Sequence, residues 1–199
     1  DVQRVWRCRA EGVYHVEYGF SCMGYEVAAA VGVKMAEPDR EVYVLVGDGS
    51  FNMLHSEFIT SLQEGLKINV ILVDNHGFQC IHNLQRNQGI PSFGNEYRRR
   101  EAETGRLTGE YLPIDYAMVA RGYGGSGFTA TTVAEVEASF KELSASKVSS
   151  LIDIKTLPGT MTDGYNAWWR VGVAQKSKHE SVEAAARDIQ AHVEQARKY

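Results

Sequence analysis

Val42-Tyr-Val-Leu-Val-Gly-Asp-Gly-Ser50 and Ile68-Asn-Val-Ile-Leu-Val-Asp-Asn75 decide the fold of this 199-residue chain. Val42–Val46 and Ile68–Val73 are short, mostly β-branched runs without polar alternation, the pattern of strands covered on both faces of a parallel sheet. Between them Leu54, Phe58, Ile59 and Leu62 recur at helical spacing, and Gly65 stands where a helix stop is expected. The three segments make one βαβ unit. Upstream, Gly24 to Ala36 is Ala- and Val-rich and predicts a mostly buried helix ending before Pro38. Downstream come a short helix over 114–122 with Asp115 near its start, a small-residue segment at 124–128, a helix from about Thr132 to Lys147, and a strand at Ser150–Lys155. Strands alternating with helices predict an α/β fold, a mostly parallel sheet flanked by helices. Residues 90–113 lack periodicity and are expected to form a long loop, and the last twenty residues a polar amphipathic helix.

With 44% hydrophobic and 23% charged residues, the chain is long enough for one packed domain and too short for two large ones. The expected division is an α/β domain over 1–160 and a C-terminal helical appendage over 161–199, packed on it. The chain opens on Asp1, not Met, so a preceding part of the natural protein is expected. A formal charge of −4 gives no electrostatic footprint for nucleic acid or an anionic membrane. The basic run Arg98-Arg99-Arg100 is followed by Glu101 and Glu103 and is expected to be a solvated face. Cys8, Cys22 and Cys80 form neither a disulfide framework nor a CxxC site, and no apolar run approaches the roughly 20 residues of a spanning helix, so a cytoplasmic location is expected. His15, His55, His76 and His82 match no zinc-ligand spacing. There is no Walker A lysine motif, and no GxGxxG opens the first βα turn.

Chemistry concentrates where Gly47-Asp48-Gly49-Ser50 follows the first strand and Asp74-Asn75 the second. Adjacent parallel strands lie about 4.8 Å apart, so residues just beyond their carboxyl ends converge on the crevice where open α/β sheets bind ligands. A carboxylate from Asp48 and an amide oxygen from Asn75, with a loop carbonyl and phosphate oxygens, suit an octahedral magnesium ion. Gly49 allows a close backbone approach to phosphate, and Ser50 offers a hydrogen bond at a helix start.

GDGS, a helix, and then DN twenty-seven residues after the first Asp resemble the signature of thiamine-diphosphate enzymes. The resemblance implies that Asp48, Asn75 and the carbonyl of Gly77 hold Mg2+ on the cofactor diphosphate. Asp74 stands where the family commonly has Asn, a departure that leaves the ligand in place. Ser21-Cys-Met-Gly-Tyr25 occupies the place of the Gly-Thr-Met-Gly-aromatic motif of acetolactate-synthase-like members. This implies Met23 as the apolar wedge under thiamine diphosphate, the Ser21 carbonyl as acceptor from its amino group, and Met53 as a second apolar neighbour. Arg4–Arg7, Glu17–Tyr25 and the stretch from Asp163 to Val173, with Trp168-Trp169-Arg170, resemble a member that hydrolyses a carbon–carbon bond of a cyclic 1,2-dione in inositol catabolism. That implies a small-molecule dione substrate and a homodimer or homotetramer. It also implies an activating Glu in a separate pyrimidine-binding domain, so no catalytic acid or base is assigned to this chain. An acetolactate-synthase-type carboligase or decarboxylase shares every cofactor residue named. A non-catalytic binding module using Trp168 and Trp169 as partner anchors is the reading from another class.

Overall fold

In chain order the elements are α1 (Val2–Val5), α2 (Tyr25–Ala36), β1 (Tyr43–Gly47), α3 (Asp48–Met53), α4 (Glu57–Gln63), β2 (Asn69–Asp74), α5 (Gln79–Asn87), α6 (Tyr116–Gly122), β3 (Ser126–Ala130), α7 (Val133–Ala145), β4 (Ser150–Lys155) and α8 (Glu180–Gln195). This is a computed structural model, and it describes residues 2–160 and 172–196. The chain divides into two units, Asp1–Asn75 with Pro113–Leu157, and His76–Leu112 with Pro158–Tyr199.

The first unit is built on a four-stranded sheet in the order β1-β2-β4-β3, with every neighbouring pair parallel. Val44, Val70 and Leu151 form one cross-strand row and Val46, Leu72 and Asp153 the next. This face meets Val27, Ala30 and Val31 of α2, Phe51 of α3, Phe58 of α4, and Tyr116 and Ala120 of α6 in the main core. On the opposite face Ile152, Ile154, Phe128 and Ala130 pack against Val136, Phe140 and Leu143 of α7. The start of α7 is fixed by a capping box: Thr132 Oγ1 accepts from the Glu135 N–H while the Glu135 carboxylate accepts from the Thr132 N–H. Asp115 caps α6 by accepting from the Met118 N–H at 2.7 Å.

Four sequence-based expectations change. The small-residue segment contains a strand, β3, which its Ser-Gly-Phe-Thr-Ala composition hid. The single helix expected between the first two strands is two, α3 and α4. Helix α2 buries only Val27, Ala30 and Val31 and exposes Val33 and Met35, so it lies on the sheet by one stripe. Finally, β1 is an edge strand. Its outer-face residues Tyr43 and Leu45 are 48% and 44% exposed, because α7 lies over β3 and β4 and reaches β1 with the Phe140 ring.

In the second unit α5 is followed by an irregular strap over 90–112, in line with the expected loop. Gln85 on α5 holds the strap by accepting from the Phe93 N–H at 3.0 Å and from Asn95 Nδ2 at 3.2 Å. Ser181 at the start of α8 donates to the Gly89 carbonyl at 2.6 Å. Helix α8 lies inside the expected C-terminal appendage, whereas Trp168 and Trp169 fall outside the described residues.

Helix α6 and β3 touch at Gly127, where an added Cβ sits 2.0 Å from the Ala117 carbonyl oxygen, a backbone atom that has no room to yield. Gly127→Ala is expected to cost about 3 kcal/mol, the upper part of the range for overpacking. Gly32, in helix α2 with nothing within 4 Å of the added Cβ, is the control. Gly32→Ala is expected to stabilise by about 0.5–1 kcal/mol. Urea unfolding midpoints of the two variants check both.

Candidate functional site

The register puts Gly47 of β1 directly beside Val73 of β2, so Asp48 and Asn75 emerge from adjacent strand ends one residue out of step. Asp48 is the first residue of α3 and is fully buried, with Gly49 and Ser50 buried beside it and Gly47 half-buried before it. Asn75 is half-buried at the end of β2. Gly49 and Ser50 complete the buried first turn of α3, while Met53 at its last position is 50% exposed.

A hydroxyl clamp ties this turn to the segment carrying Ser21 and Met23. Ser50 Oγ accepts from the Gly24 N–H at 2.7 Å and donates to the Glu26 carboxylate, whose oxygens lie 2.9 and 2.8 Å away. Glu26 also accepts from the Gly24 N–H at 3.1 Å. Ser50, expected as a donor to the cofactor, has its hydroxyl in this internal clamp. Gly24 has φ +91°, and an added Cβ meets the Cβ atoms of Met53 and Leu54 at 3.3 Å, so the Met23 turn and the end of α3 are in direct contact. The structure therefore brings Met23, Ser50 and Met53 together, and Met23, at 43% exposure, is open to solvent. In the loop before it, Glu17 accepts from the Phe20 N–H at 2.8 Å and the Cys22 N–H at 2.7 Å. These amides hold its carboxyl below the ordinary range.

Among the described residues, Ser21 (φ +52°) and His76 (φ +62°) are the non-glycine residues with positive φ. Such backbone persists where the surroundings over-determine it and clusters at functional sites. Ser21 is the expected carbonyl acceptor, and His76 sits between Asn75 and Gly77.

At the carboxyl ends of β2 and β4, Asp74 and Lys155 are register partners. Lys155 Nζ donates to Asp74 Oδ2 at 2.7 Å and to the Ile114 carbonyl at 2.6 Å, and forms an ion pair with Asp153 Oδ2 at 2.8 Å. Asp153 also accepts from the Tyr116 N–H at 3.0 Å, and its other oxygen, buried, has no hydrogen-bond partner. Burial pushes the Asp153 carboxyl above the ordinary range, against the opposing pull of Lys155. Burial works against the Lys155 charge, yet bonds to the two carboxylates hold its ammonium above the ordinary lysine value.

In the second unit, Gly77 is buried at φ +143°, and an added Cβ stands 2.3 Å from the Asn95 carbonyl oxygen. An antiparallel bridge pairs Gly77 with Glu96. The Phe78 N–H donates to the Asn95 carbonyl at 2.8 Å, and the Tyr97 N–H to the His76 carbonyl at 2.9 Å. The His76 ring stacks on Tyr111 with centroids 4.9 Å apart. Tyr111 donates its phenol proton to Glu96 at 2.6 Å, and Arg98 both donates to that phenol oxygen at 2.5 Å and lies 3.8 Å over the ring. Arg98 is thus not part of a merely solvated basic face, whereas Arg99 and Arg100 are exposed. Residues that sequence reasoning missed are Glu26, Lys155 and Tyr111. The available signal was Asp153 and Lys155 spaced two apart in an otherwise apolar strand, which puts them on one face.

A parallel α/β sheet whose adjacent strands end in GDGS and DN defines a cofactor-binding domain of the thiamine-diphosphate type. Residues 1–154 match the model of the family described as thiamine pyrophosphate enzyme, C-terminal TPP binding domain, and the chain belongs to that family. It is 57% identical over all 199 residues to the 3D-(3,5/4)-trihydroxycyclohexane-1,2-dione hydrolase of Geobacillus thermodenitrificans (strain NG80-2). It is 53% identical, again over its whole length, to the protein of that name in Bacillus anthracis (strain A0248). The chain spans 31% of the length of these relatives. Its fold is similar to that of Rhodococcus jostii RHA1 thiamine diphosphate-dependent 4-hydroxybenzoylformate decarboxylase, with a TM-score of 0.53 and 27% identity over 68% of this chain and 23% of that one. Among the described residues no helix is long and apolar enough to cross a membrane.

Burial works against the Glu96 charge, but the Tyr111 and Ser92 hydroxyls and Arg98 hold its carboxyl below the ordinary 4.5. Its folded value lies below its unfolded one, so the stability it contributes is present above that pH and is lost as pH falls through the folded value. Tyr111→Phe is expected to cost about 1 kcal/mol at neutral pH. The difference from the wild type should shrink in urea unfolding below pH 4.5, where Glu96 protonates.

Proposed function

We propose that the polypeptide carrying this chain is a thiamine-diphosphate- and Mg2+-dependent hydrolase that opens 3D-trihydroxycyclohexane-1,2-dione by cleaving a carbon–carbon bond, as a step of inositol catabolism. The observation that carries the substrate is the 53–57% identity, unbroken over this whole chain, to enzymes named for that reaction. Cofactor binding itself follows from the family.

The residues present fit the group. Asp48, a fully buried carboxylate at one strand end, lies one residue out of step with Asn75 at the next, which suits an ion held by one carboxylate and one amide oxygen. The family resemblance adds the carbonyl of Gly77. Gly49, having no side chain, would let a phosphate approach the backbone of the first turn of α3, and the exposed side chains of Met23 and Met53 offer an apolar support. When bound, the cofactor supplies a nucleophilic thiazolium carbon and an electron sink for cleavage beside a carbonyl. This chain binds and orients: Asp48 and Asn75 fix the diphosphate end through the ion, the Ser21 carbonyl accepts a hydrogen bond from the aminopyrimidine, and the Ser50–Glu26 clamp keeps the two segments in register. The proton-transfer carboxylate belongs to another part of the polypeptide, and a homodimer or homotetramer in the cytoplasm completes the site.

In calorimetric titration of the natural polypeptide, thiamine diphosphate should give heat that requires both Mg2+ and Asp48, and Asp48→Ala should abolish it. Tight binding that persists in EDTA and in Asp48→Ala would overturn the metal site. A cofactor-loaded enzyme that leaves the cyclic dione intact but condenses or decarboxylates 2-oxo acids would overturn the substrate.

A further inference from the structure

The Lys155 ammonium joins three points of the first unit: it donates to Asp74 Oδ2 at the end of β2 and to the Ile114 carbonyl ahead of α6, and it forms an ion pair with Asp153 Oδ2 in β4 at 2.8 Å. Asp74 and Asp153 are 1% and 0% exposed, and Lys155, with a side chain 27% exposed, is the cation that touches both. The main chain repeats the tie, because Thr156 donates both its N–H and its hydroxyl to the Asp74 carbonyl at 2.9 Å. The last residue of β2 is thus held by side chain and backbone to the end of β4, and the next residue is Asn75.

We infer that Lys155 is a positioning residue for Asn75. By answering the buried Asp74 carboxylate it fixes the strand end from which the metal-binding amide projects. This rests on the assignment of Asn75 as a ligand under the proposed function. Without Lys155, the buried Asp74 and Asp153 carboxylates lose the ammonium they share, and moving or hydrating the end of β2 relieves that loss. Outer groups that orient metal ligands typically govern metal affinity by 10–100-fold when removed. A role in stability alone predicts a different result: a less stable protein whose folded fraction holds the ion as before.

The test is Mg2+ titration of the natural polypeptide at saturating thiamine diphosphate, read by the change in intrinsic fluorescence, with thermal unfolding of each variant in parallel. Lys155→Met is expected to weaken apparent Mg2+ affinity about 10–100-fold. Asp74→Asn combined with Lys155→Met is expected to recover most of that loss, because the amide at the end of β2 needs no cation and the remaining carboxylate, Asp153, keeps the Tyr116 N–H. Wild-type Mg2+ affinity in folded Lys155→Met, or a double variant no better than the single one, would overturn the inference. If Lys155→Met does not fold, the double variant is compared with Asp74→Asn: equal Mg2+ affinity supports the inference, and a further loss overturns it. A wild-type protein without Mg2+-dependent cofactor binding would instead overturn the proposed function, and this inference with it.

Discussion

Asp48, Asp74 and Asp153 lie along the carboxyl edge of one parallel sheet with at most 1% of their surface exposed, and a carboxylate taken out of water costs several kcal/mol unless something answers its charge. The first unit is arranged around that constraint. Lys155 and the Tyr116 N–H answer Asp74 and Asp153, which places α6 and β4 where they are. Asp48 lies at the end of the neighbouring strand, where it heads a helix of its own. An apolar residue at any of these positions would remove the cost and the chemistry together.

Each unit also braces a strained stretch of backbone with an acidic side chain. Ser21 and His76 adopt a left-handed conformation that costs of order 1–3 kcal/mol for a residue with a Cβ. Each is held by an acid. Glu17 gathers the amides on either side of Ser21, and Glu96 holds Tyr111 against the His76 ring, while the Gly77–Glu96 bridge fixes the peptide that follows. Orienting groups before a ligand arrives lowers the ordering cost of binding it.

Much of this could be read from the residues. Val42–Val46 and Ile68–Val73 announced parallel strands through uninterrupted β-branched runs, and the positions of Asp48 and Asn75 followed from strand geometry, since side-by-side parallel strands bring their carboxyl ends together. What stayed hidden lacked a local signal. Strand β3 is Ser-Gly-Phe-Thr-Ala, too short and too small to show a period, and it becomes a strand because β4 offers it a ladder and Gly127 lets Ala117 of α6 come close. The break between α3 and α4 was masked because Leu54 continues the apolar spacing although the backbone has already left the helix there. Tyr43 and Leu45 read as buried, since hydrophobic type reports what a face tolerates and not which neighbour covers it.

Side-chain partnerships across long sequence distances were the least legible, and they are what turns a set of motifs into a site. Ser50 shows why. Its place in GDGS suggested a ligand donor, yet a hydroxyl has one proton, and that proton goes to Glu26, twenty-four residues away in sequence. The motif is therefore partly self-directed: Ser50 faces inward and locks the Met23 turn to the first turn of α3. Asp74 behaves like Ser50, since its carboxylate is turned to Lys155 and its carbonyl to Thr156. Both residues spend hydrogen bonds holding the backbone, a role that a reading matching residue types to ligand chemistry does not see.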